Sequence, residues 1–167
     1  MKITLNWLKK HGACRASLEM FAAQPERDAA AIIKLLIATN TDWANWLICR
    51  MLTRKQKIQF AVFAAEQVLP IFEAKYPNDN RPRLAIEAAK NVIDRNTIKN
   101  RSAAASCAAD AADAASAAPA ALADTYAAAC ARAVARARAA VYSDALVRAK
   151  MQTKIITYGL SLLEGEK

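Results

Sequence analysis

Apolar residues recur along the chain at helical spacing and divide it into a run of helices with short joints. Trp7 and Leu8 belong to a short first helix that ends near Gly12. The segment from Cys14 to Gln24 carries Leu18, Met20 and Phe21 and stops at Pro25. Between Asp28 and Thr39, Ile32, Ile33, Leu35, Leu36 and Ile37 stand so close together that burial on more than one side is expected. Asp28 suits the N-terminal end of that helix, where an acid complements the dipole. Asn40 and Thr41 supply cap candidates for a helix from Asp42 to Leu52.

A longer helix is predicted from about Lys55 to Lys75, with Pro70 inside it. A proline there removes one backbone hydrogen bond and crowds the carbonyl four residues back, so a kink is expected. Tyr76 to Pro82 consists of turn formers at nearly every position, and Pro82 opens a new helix from its first turn. Leu84, Ile86, Val92 and Ile93 mark the buried side expected of that helix. From Ser102 to Ala140 alanine dominates, in two helices separated near Ala118-Pro119. A last helix, about Ser143 to Leu163, returns to larger residues such as Leu146, Ile155, Ile156 and Leu160. Alanine is the best helix former and lets backbones approach closely, so the tract reads as packed helix rather than disorder.

Composition strengthens the all-α reading. Three glycines and five prolines in 167 residues are too few turn formers for a sandwich or barrel. The expected architecture is an alanine-rich multi-helix bundle or short α-solenoid forming a single domain. Its segments are 1–54 with the tryptophan-containing helices, 55–101 with the kinked helix, loop and helix, and 102–167 with the alanine-rich hairpin and last helix. The apolar stretch at the start is too short for a secretion signal, and Asp110, Asp113 and Asp124 interrupt the alanine tract. Cys14, Cys49, Cys107 and Cys130 are never spaced as CxxC, which fits reduced, mostly buried thiols in a cytoplasmic protein with no membrane span.

Candidate chemistry is sparse. His11 stands three residues from Cys14, but a nucleophile pair also needs an orienting group and an oxyanion hole that the sequence does not offer. One histidine and scattered cysteines do not make a metal site, and no phosphate-cradling glycine loop occurs. Neither catalysis nor a cofactor is therefore expected. Glu66 and Glu73, seven apart, share a helix face and read as solvated carboxylates. Trp43 and Trp46 share a face too, as core closure or as interface anchors. The net charge of +9 attracts acidic partners, with Arg132, Arg136 and Arg138 on one helix and Arg148, Lys150 and Lys154 on the next. A basic nucleic-acid-binding helical module is the competing class, although no helix-turn-helix or aromatic stacking array accompanies these cations.

The run Ala65-Glu66-Gln67-Val68-Leu69-Pro70-Ile71-Phe72-Glu73, followed by Asp79-Asn80-Arg81-Pro82-Arg83-Leu84-Ala85-Ile86-Glu87-Ala88-Ala89, carries a resemblance. Over roughly residues 60 to 140 the chain resembles an alanine-rich helical family of bacteria and phages labelled as immunity proteins. That resemblance implies a non-enzymatic inhibitor that binds a partner protein, either a toxin or a host defence component met by a phage anti-defence protein. Asp79, Arg81, Arg83 and Glu87 are the motif positions it carries over, and Trp43, Trp46, Arg132 and Arg136 complete the candidate contacts. The structural alternative has Asp79 capping the helix while both arginines pair with nearby acids.

Overall fold

We describe residues 1–104 and 145–165 of a computed structural model of the chain. The two alanine-rich helices expected around Ala118-Pro119 lie outside the described residues, as do Cys107, Cys130, Arg132, Arg136 and Arg138. The fold is all-α. Its helices are α1 (Leu5–Lys10), α2 (Arg15–Ala23), α3 (Ala29–Thr39), α4 (Thr41–Met51), α5 (Arg54–Lys75) and α6 (Arg81–Asp94). Residues 98–104 are also helical, labelled α7, and α8 spans Ala145–Glu164. Extended pairing among the described residues is limited to one isolated antiparallel bridge between Lys2 and Asp28. The chain groups into two compact units, Met1–Leu52 with Gln152–Lys167, and Thr53–Met151.

In the first unit, local chemistry sets nearly every helix end. Thr4 caps α1 by accepting the Trp7 N–H at 3.1 Å. Gly12 ends it with φ at 77°, so that its own N–H reaches the Lys9 carbonyl and the Ala13 N–H reaches that of Leu8. This 5→2 and 6→1 pair is a Schellman motif. Between α2 and α3 the Arg27 guanidinium lies 4.5 Å over the Phe21 ring and donates to the carbonyls of Phe21, Gln24 and Glu26. Asp28 then caps α3 through the N–H groups of Ala30 and Ala31. Asn40 serves two helices at once. Its N–H closes α3 on Leu36, and its side chain opens α4 by accepting the Trp43 N–H at 3.1 Å.

Packing pairs α1 with α2 and α3 with α4. Ile3, Leu8, Phe21, Ile32, Ile33, Leu36, Leu47 and Ile48 are buried, as are Ile155, Ile156 and Leu160 of α8. Leu35 departs from expectation, being 56% exposed, because a helix covered on one broad face still turns one position of each turn outward. Two contacts fasten α8 to this unit, Thr41 to Gln152 at 3.5 Å and Lys34 to Glu164 at 3.0 Å.

The second unit opens on a capping box. Thr53 accepts the Gln56 N–H, and the Gln56 side chain accepts the Thr53 N–H at 2.8 Å. Pro70 lies inside α5 and is exposed, and the helix continues past it to Lys75 without the N–H that would bond the Glu66 carbonyl. Helices α5 and α6 pack as a pair around Ile58, Val62, Leu69, Ile86, Val92 and Ala104. Ala65, Ala88 and Ala89 line this seam, where small side chains allow close backbone approach. Helix α6 stops at Asp94, and Thr97 begins the next helix by accepting the Asn100 N–H at 3.1 Å. The composition change at Ser102 does not mark this joint, which falls earlier, at residues 95–97.

Candidate partner-binding surface

The loop-to-helix motif builds itself from its own charges. Helix α5 ends at Tyr76, whose N–H returns to the Phe72 carbonyl, and the chain turns through Pro77 and Asn78. Asn80 occupies the N-cap of α6 without a side-chain cap bond. Asp79, one residue earlier, takes over that task. Its Oδ1 accepts the Arg81 backbone N–H at 3.1 Å and Nε at 2.9 Å, while Oδ2 accepts Nη2 at 2.6 Å. The Arg81 side chain, together with its backbone N–H, holds the Asp79 carboxyl below the ordinary aspartate range.

Two further ion pairs staple α5 to α6. Arg83 forks onto Glu73 with two bonds of 2.8 Å, and Lys90 meets Glu66 at 2.6 Å. The acids are seven residues apart on α5 and the cations seven apart on α6, so one antiparallel register satisfies both pairs. Glu66 and Glu73 are thus not merely solvated, as the sequence led us to expect. Glu87 is exposed and forms no ion pair among the described residues.

Besides the exposed polar residues Asn78, Asn80, Arg81 and Arg83, this scaffold leaves apolar side chains outward. Tyr76 is 47% exposed, Leu84 46% and Ile71 36%. Leu84 was expected on the buried side, but it lies at the loop end of α6, four and eight residues short of Ala88 and Val92. Phe72 and Tyr76, with ring centroids 5.0 Å apart, extend the Leu69 line of α5 towards the same loop. The signal in the sequence was this continuation of both apolar lines up to the loop, past the last large residue of the core.

The other candidates stand elsewhere. Trp43 and Trp46 are half-buried on α4, and the Arg50 guanidinium lies 5.6 Å from the Trp46 ring centroid. His11 stacks on Trp7 at 4.0 Å and its Nδ1 lies 2.7 Å from the Trp7 carbonyl, so the ring is committed to the end of α1. Cys14 is exposed rather than buried, at the N-cap of α2, with Ser17 as its hydrogen-bond partner, and Cys49 is half-buried. The Ser17 side chain draws the Cys14 thiol below its ordinary value. Among the described residues no three His, Cys, Asp or Glu side chains group to hold a metal, and no helix is long and apolar enough to cross a membrane.

The described residues thus form an all-α protein whose α5–α6 hairpin is ion-paired and carries exposed apolar residues at its tip. The chain belongs to the family described as Imm-5 like putative immunity protein, whose model matches residues 47–155, about two thirds of its length. The match takes in the whole α5–α6 hairpin and leaves Trp43 and Trp46 outside. No curated protein and no solved structure matches the chain.

Proposed function

We propose that the chain is a non-enzymatic inhibitor of the immunity type, which blocks a partner protein in the cytoplasm by occupying its surface. A toxin and a host defence component met by a phage are the two partners that fit this mode of action. The observation that supports the reading is the hairpin tip inside the family-matched stretch. Tyr76 and Leu84 stand exposed there beside arginines that Asp79 and Glu73 already hold in place. Tyrosine and arginine are the residue types that most often carry binding energy at protein interfaces, and fixed side chains lose little entropy on docking. In this reading Asp79, Arg81 and Arg83 set the shape of the tip and Glu87 lies at its rim, while the apolar residues make the central contact.

Affinity capture with the tagged full-length chain tests this, followed by a titration of the recovered partner. Tyr76→Ala combined with Leu84→Ala is expected to weaken that complex by at least about tenfold. Recovery of no stoichiometric protein by the unmodified chain would overturn the proposal. A filter-binding titration addresses the nucleic-acid alternative, in which Arg132 and Arg136 contact phosphates. Tight binding with a steep salt slope would favour that class.

A further inference from the structure

We propose that the joint between α6 and α7 is a second docking point, made for a protein surface that places carboxylates around apolar side chains. This rests on the protein-binding reading above and adds the chemistry of the partner. Ile98, in the first turn of α7, is 78% exposed, more than Met1, Leu5, Leu35, Ile71, Tyr76 or Leu84. A lone exposed isoleucine ordinarily requires no explanation. Two features set this one apart.

The first is rigidity. The Asn100 amide reaches back to donate to the Asn91 carbonyl at 3.0 Å and to the Arg95 carbonyl at 2.7 Å. The Arg95 N–H closes on Asn91, the Thr97 N–H on Arg95 and the Arg101 N–H on Thr97, at 2.8–3.0 Å. The joint is therefore tied on both sides, and Ile98 is held outward from it. The second feature is charge. Arg95 and Lys99 are exposed, Arg101 is half-buried, and among the described residues none of the three is ion-paired. Asp94 is the single acid in the stretch 94–101.

A preorganised apolar anchor inside a cationic rim matches an acidic protein surface with an apolar centre. A second copy of this chain fits poorly, because each carries a net charge of +9. Nucleic acid would engage the cations, but an isoleucine neither stacks on a base nor donates to a phosphate, and its one use there, as a wedge between base steps, is what the duplex probe below tests.

Isoleucine-methyl NMR on the full-length chain tests the proposal with three probes: an acidic peptide containing leucine and phenylalanine, a peptide of equal charge with serine in their place, and a short DNA duplex. Saturable movement of the Ile98 methyl is expected with the first peptide, and Ile98→Ser or the pair Arg95→Glu and Lys99→Glu should each weaken binding about tenfold or more. Unchanged methyl signals of Ile58 and Ile86, in the core of the same unit as Ile98, show that each variant is folded. An unmoved Ile98 methyl, equal binding of the serine peptide, tighter binding of the duplex, or movement that follows the chain's own concentration would each overturn it. A partner captured equally well by wild type and both variants also defeats this inference while the inhibitor reading stands. Capture of no protein by the wild type defeats the inhibitor reading instead.

Discussion

Gly12 holds φ at 77°, and an added Cβ would meet nothing within 4 Å. The cost of Gly12→Ala is therefore conformational, about 1–2 kcal/mol for forcing an L-residue into the left-handed region. A denaturant melt is expected to show that loss, and an unchanged midpoint would mean that the Schellman turn contributes nothing to stability. Asp79 offers a test in pH. Its folded pKa lies below the ordinary aspartate value, so the unfolded chain binds the proton more readily. Its contribution is complete above the ordinary value and is lost as pH falls through the lowered one. Stability curves of wild type and Asp79→Asn should differ at neutral pH and converge in acid, and a constant gap would contradict the assignment to the Asp79–Arg81 contact. At this scale Gly12 and Asp79 were legible in the sequence, because turn and cap chemistry acts on neighbours within a few residues. The exposure of Cys14 was not, since cysteine as a residue type favours burial whereas the N-cap position it occupies faces outward.

The hairpin of α5 and α6 ties these contacts into one element. Arg83 and Glu73 are partly exposed, which confines their coupling to the range of surface pairs, while the forked geometry places it near the top of that range. A double-mutant cycle with Glu73→Gln and Arg83→Gln is expected to give a coupling of roughly 0.5–1 kcal/mol. The charge-swapped pair Glu73→Arg with Arg83→Glu should recover part of what either single reversal loses. Additive single effects would show that the fork has no energetic role. Helix starts at Asp28, Asn40 and Thr53 were readable or nearly so, each being set by a local cap. The joint at residues 95–97 escaped the sequence because Asn100 makes it from the far side, reaching back nine residues to Asn91. Leu84 escaped for a related reason. Periodicity gives the apolar line along a helix but not where the facing core ends, and here the line outlasts the core.

Over the whole molecule, the contact that sequence periodicity had no means to assign is the return of α8 to the N-terminal helices. The larger residues of the last helix announced a buried face, but which helices it covers depends on more than 100 intervening residues. The two fastenings show its direction. Thr41 meets Gln152 and Lys34 meets Glu164, so α8 runs antiparallel to the chain from residue 34 to residue 41. Ile155, Ile156 and Leu160 are buried between those fastenings along the helix. All three tryptophans, Trp7, Trp43 and Trp46, belong to the Met1–Leu52 part of the same unit, so their fluorescence reports on the unit that α8 completes. Ile155→Ala removes three carbons from a side chain that is 2% exposed, and it is expected to lower the tryptophan-detected stability by about 2–5 kcal/mol. Lys154→Ala, next to it on the exposed side, serves as the control and should leave the transition within about 0.5 kcal/mol. If Ile155→Ala melted with the wild-type midpoint, α8 would be an appendage. A loss of the expected size would instead make the N-terminal helices dependent on residues from the opposite end of the chain.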